Sequence, residues 1–512
     1  ITTTGGLTLT SGGAIADNID VTGHLDIDVG TVNVTATGGT DVSLRDAGTS
    51  NTTYTVATGG AGDVSLNQAA NNLVVDTITT TNGAVTLVGA ANVFELGSDT
   101  TADITTTGAV SVTAGTSIGA TGAGALDIAS STNLTLDSND DVAVRGSAQT
   151  LTDLTLTVDG GTDGAVYELT NLANITETIT TDNTDLTVTA LDATGDANLS
   201  LTNDTGNVTV TSFDTTLAGT LSVTASSGNI ILADGALVTG SGGVSLNASG
   251  TIDESTDATT TNITTTGTLS LTGGGSIGTT GGGTESLDIA AGTLTATTSS
   301  GGIFLRDPST LTIGSGNVRT TAGNAPINLE IVAGDLTLDG DITAHGSGDV
   351  DLTLGGAGAA VITSAGTDDI ASTSGAITIT ADTLTLVTGT ISSTGGALIL
   401  QPNAASRTIG LGNGASGNFS LDATELGLLS NGFSSITLGR TNAGAVDINA
   451  HTFTDPVTVV GGAMTVDGLQ AGANDITLTS SSTIDESVDA TTTNITTTGG
   501  LTLTSGGAIA DN

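Results

Sequence analysis

Oxygen donors dominate the chemically capable side chains of this chain. The run Asp137-Ser138-Asn139-Asp140-Asp141 sets side-chain oxygens at alternate positions, as the opening of an EF-hand loop does. Asp137, Asn139 and Asp141 are therefore candidate Ca2+ ligands. The run lacks the sixth-position glycine and the distant glutamate that complete such a loop, and its plainer reading is a solvated acidic turn. The glycine-rich nonapeptide of Ca2+-binding β-rolls is not found. His24, His345 and His451 lie far apart and in different repeat units, so each reads as a polar surface residue rather than part of a triad or metal cluster. Cysteine is absent, which removes thiolate ligands, a thiol nucleophile and disulfides. The chain is expected to carry no catalytic residue and to require no cofactor, with Ca2+ as an optional ligand.

Charge narrows the partners. Acidic residues outnumber basic ones 52 to 6 in 512 residues, for a formal charge of -46. Every basic residue is an arginine (Arg45, Arg145, Arg306, Arg319, Arg407, Arg440). Nucleic-acid binding needs clustered Lys and Arg to neutralise phosphates, so nucleic acid is excluded as a partner. Anionic lipid surfaces would repel the chain, and no apolar run of about 18 residues is present to insert in a membrane. Self-repulsion at this charge is relieved by divalent cations, which are expected to promote lateral bundling.

The elements that must carry these residues are short strands. Leu7-Thr8-Leu9, Leu25-Asp26-Ile27, Val32-Asn33-Val34, Leu134-Thr135-Leu136 and Leu154-Thr155-Leu156 alternate apolar and polar residues. That period of two, rich in β-branched residues, marks strands with one buried face. Gly, Asn, Asp and Ser fall between the runs, where turns form. No helical stripe of useful length is present, and threonine and glycine are poor helix formers. The chain is 37% hydrophobic and has only 4 prolines, which argues against disorder. Its scarcity of aromatics, 2%, leaves a core of small aliphatic side chains.

Internal repeats point to one architecture. Ile1-Thr2-Thr3-Thr4-Gly5 recurs at Ile104–Gly108, Ile263–Gly267 and Ile495–Gly499, so sub-repeats start near residues 1, 104, 263 and 495. Leu25-Asp26-Ile27 matches Leu126-Asp127-Ile128 and Leu287-Asp288-Ile289. Ser43-Leu44-Arg45 matches Ala143-Val144-Arg145 and Phe304-Leu305-Arg306, placing Arg45, Arg145 and Arg306 at equivalent structural positions. Asp46 follows Arg45 and Asp307 follows Arg306, which suggests local ion pairs at a turn. Thr251–Ser255 also returns at Thr483–Ser487. Three strands per coil predict an all-β parallel β-solenoid of about 20 to 25 coils without helices of note. At about 4.8 Å per coil it would be a rod of roughly 100 to 120 Å. Stacked outward threonines would form ladders along it. Residues Ile1–Asn18 are repeated without change at Ile495–Asn512, so residues 1–512 read as one continuous solenoid and one period, about 494 residues, of a longer tandem array.

The segments Gly6-Leu7-Thr8-Leu9-Thr10-Ser11-Gly12-Gly13-Ala14-Ile15, Gly301-Gly302-Ile303-Phe304-Leu305-Arg306 and Thr408-Ile409-Gly410-Leu411-Gly412 resemble the repeats of filamentous-haemagglutinin-like exoproteins and giant bacterial surface adhesins. The resemblance runs over essentially the whole chain. It implies a right-handed parallel β-helix, exported to the cell surface as an adhesive or structural stalk. The expected function is thus a structural or adhesive rod of an extracellular filament or cell-surface protein. Its expected partners are further copies of itself, end to end or side by side, and surface glycans or other cells. Two alternatives are a polysaccharide-acting β-helix enzyme and an acidic surface-layer component. About eleven Asn-x-Ser/Thr sequons, among them Asn33, Asn51, Asn133, Asn174, Asn207 and Asn494, are candidate glycosylation sites, many of them expected by chance in a threonine-rich chain.

Overall fold

The computed structural model describes residues 1–512 except 18–22, 121, 130, 132, 148–152, 159–164, 174–175, 182–184, 195–197, 216–218, 257, 280–285, 364–365, 488–492 and 511–512. They form an all-β parallel β-solenoid of about 19 turns. It divides into two compact units, Ile1–Ser249 and Gly250–Asn512. The described helical residues are a 3-10 turn at Gly122–Gly124 and a one-turn helix at Ala423–Leu426. No helix among the described residues is long and apolar enough to cross a membrane.

In the first unit the strand Leu7–Ser11 lies parallel to Thr31–Ala36, which lies parallel to Thr52–Thr58. A second face stacks Leu25–Ile27, Val42–Asp46, Val64–Gln68, Val85–Gly89, Val110–Ala114, Asn133–Ser138 and Asp153–Val158. The second unit shows three strand columns, one to each side of the coil. One column runs Ile327–Ile331, Val350–Leu354, Ile377–Thr380 and Ala397–Gln401. Leu336–Leu338, Ala360–Thr363 and Thr383–Thr385 make the second, and Ile342–Ala344, Ile370–Ser372 and Ile391–Ser393 the third. Alternation does the sorting. In Val350–Leu354 the residues Val350, Leu352 and Leu354 are fully buried while Asp351 and Thr353 face outward. The turns number slightly fewer than the repeat spacing predicts because some coils are long. Between Leu398 and its next-coil partner Ile436 the chain inserts the one-turn helix and the two short strands Ile409–Leu411 and Phe419–Leu421. The expected threonine ladder is present on the outer face at Thr437, Thr458, Thr477 and Thr502, paired coil to coil.

The corners are built from the repeated Ile-Thr-Thr-Thr-Gly motif. In all four copies the middle threonine accepts a hydrogen bond from the glycine N–H two residues on: Gly5 to Thr3, Gly108 to Thr106, Gly267 to Thr265 and Gly499 to Thr497. Thr106, 1% exposed, also donates its hydroxyl to the carbonyl of Gly83 in the preceding coil at 2.6 Å. The hydroxyl thus closes the turn and fastens it to its neighbour. Thr106→Val keeps the shape but strands a half-buried N–H and a buried C=O, so a loss of about 2 kcal/mol is expected. The half-exposed neighbour Thr105, changed the same way, should shift the urea midpoint hardly at all.

Turn carboxylates and amides fasten successive coils as well. In the second unit Asp341 donates its N–H to Asn317 Oδ1, Asp369 to Asp341 Oδ1 and Thr390 to Asp369 Oδ1, at 2.9, 2.9 and 2.7 Å. The first unit has Asp63 donating to Asp41 Oδ1 and Ala84 to Asp63 Oδ1. A second ladder there runs through Asn72, Asn92 and Ser117, whose backbone N–H donates to Asn92 Oδ1. These acids serve as acceptors for backbone N–H groups, a role that needs no basic partner.

Candidate functional site

The three equivalent arginines lie in strands directly stacked on the Leu-Asp-Ile triplets of the preceding coil. The register pairs Arg45 with Asp26, Arg145 with Asp127 and Arg306 with Asp288. Their ion pairs are 3.3, 3.1 and 2.8 Å. This corrects the local pairing suggested by Arg45-Asp46 and Arg306-Asp307. Consecutive strand residues point to opposite faces, so each arginine faces out while the aspartate after it faces in. Asp46 and Asp307 are 0% and 1% exposed, and they tie the bend beyond: Gly48 donates to Asp46, and Ser309 and Ala291 donate their N–H groups to Asp307. Burial pushes the Asp307 carboxyl above the usual carboxylate range.

Around Arg145 and Arg306 the same constellation is built twice, once in each unit. Glu95 stands eight residues before Asp103, which immediately precedes Ile104; Glu254 stands likewise before Asn262 and Ile263. Asp103 Oδ2 accepts the backbone N–H of Asp127 at 2.8 Å, and Asn262 Oδ1 accepts that of Asp288 at 3.0 Å. Arg145 donates to both oxygens of Asp127 and to the carbonyl of Asp99; Arg306 donates to Asp288 and to the carbonyl of Thr259. Each guanidinium therefore holds an aspartate and the loop that follows the glutamate. The same spacing occurs a third time at Glu486 and Asn494, where Asn494 Nδ2 donates to Glu486 Oε2 at 2.5 Å.

In the first constellation the carboxylates converge. Oxygens of Glu95, Asp103 and Asp127 lie within 4.8 Å of one another, and all three side chains are buried. Among the described residues no other group of three carboxylate or imidazole side chains does so. Burial pushes Asp103 up to about 7, aided by the charges of Glu95 and Asp127. Burial also raises Glu95 and Asp127, the latter against the pull of Arg145. Beside Glu95 opens a groove of about 420 Å3, lined also by Asn92, Ser98, Ser117 and Asp141.

The candidate ligands Asp137, Asn139 and Asp141 lie on a strand and the turn after it. Asp137 is half-buried in Asn133–Ser138, and Asn139 gives its amide N–H to the carbonyl of Gly115 at 2.9 Å. Of the three, Asp141 lines the groove by Glu95. The histidines are taken up separately: His24 Nδ1 lies 2.7 Å from Ser43 Oγ, His345 Nδ1 lies 3.0 Å from the carbonyl of Gly323, and His451 packs edge-on against Phe453. Burial lowers the His451 pKa. Of the sequons, Asn174 lies outside the described residues. Asn207 uses its side-chain oxygen to accept the N–H of Asn229. Glu95 and Asp103 were not singled out in the sequence; the signal for them is the glutamate standing eight residues before Asp or Asn at three of the Ile-Thr-Thr-Thr-Gly sites.

No family model, no curated protein and no solved structure matches the chain. The geometry therefore carries the functional argument alone. What it offers is a half-buried arginine on a buried aspartate at Arg145 and Arg306, and one buried acidic cluster beside the first.

Proposed function

We propose that the chain is a non-catalytic structural segment of an extracellular bacterial filament or giant cell-surface protein, a spacer whose hydrated acidic face is presented to other cells or surface glycans. The observation that carries this reading is the in-register ladder within each unit. Backbone strands, threonine hydroxyls and turn carboxylates all bond from one coil to the next, so cohesion runs along the stacking direction. The same five residues, Leu-Thr-Leu-Thr-Ser, form the strands Leu7–Ser11 and Leu501–Ser505. Leu7–Ser11 pairs with Thr31–Ala36 and Leu501–Ser505 with Ile476–Ser480, so one strand sequence bonds to a later coil in one place and to an earlier coil in the other. In a tandem array Leu501–Ser505 takes the place of the next copy's Leu7–Ser11. Glu486 and Asn494 then precede the next Asp26 and Arg45, as Glu254 and Asn262 precede Asp288 and Arg306.

Fibre diffraction or cryo-electron microscopy of the native assembly tests the proposal. A repeat of about 4.8 Å along the filament axis, with strands running across it, is the expected result. Strands parallel to the axis, or isolated compact particles in place of a filament, would refute the spacer role.

A further inference from the structure

We propose that Glu95, Asp103 and Asp127 form a binding site for one Ca2+-sized divalent cation, and that this site is what distinguishes the first constellation from its two relatives. The argument starts from one residue position. Asn262 and Asn494 stand where the first copy has Asp103. Both Asp103 and Asn262 spend one side-chain oxygen on the backbone N–H of the next coil's aspartate. At Asn494 the remaining atom is an amide nitrogen, and it donates to Glu486. At Asp103 the remaining atom is a second carboxylate oxygen, which has no hydrogen to give when ionised.

Glu95 faces this set of oxygens. It is 4% exposed, and its Oε1 has no hydrogen-bond partner. A buried carboxylate oxygen left so is costly unless a charge or a donor faces it. Against the single guanidinium of Arg145 stand the carboxylates of Glu95, Asp103, Asp127 and Asp99, a net negative set that a divalent cation relieves. The oxygens all lie within 4.8 Å of one another, close enough for one ion that binds oxygen at about 2.3–2.6 Å to bridge them. Mg2+ demands near-ideal octahedral geometry and sheds its water reluctantly, and Zn2+ favours nitrogen and sulfur donors. The groove lined by Glu95 leaves room on that side for the water ligands that would complete the shell.

Calorimetric titration of the full chain with CaCl2 at about 0.15 M NaCl, where diffuse surface attraction is screened, tests the site. One saturable site is expected, weakened at least tenfold in both Asp103→Asn and Glu95→Gln. Thermal melts supply a second readout. Ca2+ should raise the transition of the parent chain and leave that of Asp103→Asn unmoved. Without Ca2+ the Asp103→Asn chain should melt at least as high as the parent, since asparagine is the residue at the two related positions. Absence of a saturable site in the parent, or unchanged affinity in Asp103→Asn, would overturn the proposal.

Discussion

Arg306→Ala should destabilise the unit Gly250–Asn512 by about 3–5 kcal/mol, whereas the equivalent change at Arg45 should cost less than about 1 kcal/mol. The two arginines hold the same position in the repeat and the same kind of partner. Exposure separates them. Asp288 is 1% exposed and Arg306 16%, while Asp26 and Arg45 are 55% and 42% exposed. Removing Arg306 leaves a carboxylate in the stack without its guanidinium and with little access to water. Removing Arg45 leaves Asp26 to the solvent. Asp288→Asn in the Arg306→Ala chain should recover most of the loss, because a neutral amide needs no counter-charge. Urea denaturation of the four chains gives the comparison, and equal losses at the two arginines would show that burial does not set the strength of these pairs.

Gly83→Ala should cost about 3 kcal/mol, at the upper end for overpacking. Gly62, Gly83 and Gly108 follow one another at the same corner of successive coils, and a Cβ on each would run into the backbone carbonyl of the coil before it. The obstacle at Gly83 is the carbonyl of Gly62, with the hydroxyl of Thr80 close behind. A backbone already fixed by coil-to-coil hydrogen bonds cannot move aside as a flexible side chain can. Gly30→Ala is the matched control, since a Cβ there meets nothing within 4 Å. It should change stability by no more than about 0.5 kcal/mol. A similar small effect at both positions, read from chemical denaturation, would mean that the corner column has slack.

The strands were legible because alternation is a local property: Val350, Leu352 and Leu354 announce their buried face without reference to any neighbour. The repeats were legible too, and they placed Asp26, Asp127 and Asp288 at one position of the repeat and Arg45, Arg145 and Arg306 at another. That these two positions meet was not legible. It depends on which strand of one coil lies on which strand of the next, a separation of 18 or 19 residues that varies from coil to coil. Sequence adjacency pointed to Asp46 and Asp307 instead, and the pleat turns those residues inward. The acidic cluster was hidden for a similar reason. Asp137, Asn139 and Asp141 draw attention because they are crowded together in sequence, while Glu95, Asp103 and Asp127 are spread over two coils and converge only on stacking.

The turn ladders give the stack a direction. Along Asn317, Asp341, Asp369 and Thr390 the side-chain oxygen always belongs to the earlier coil and the N–H to the later one. A chain emerging amino-terminus first therefore displays, at its growing edge, a row of acceptors already set for the segment still to come. Each completed turn is a template for its successor, so assembly can keep pace with synthesis or export and needs no search among distant segments. Approached from the other end, the same row would present N–H groups to acceptors still to come.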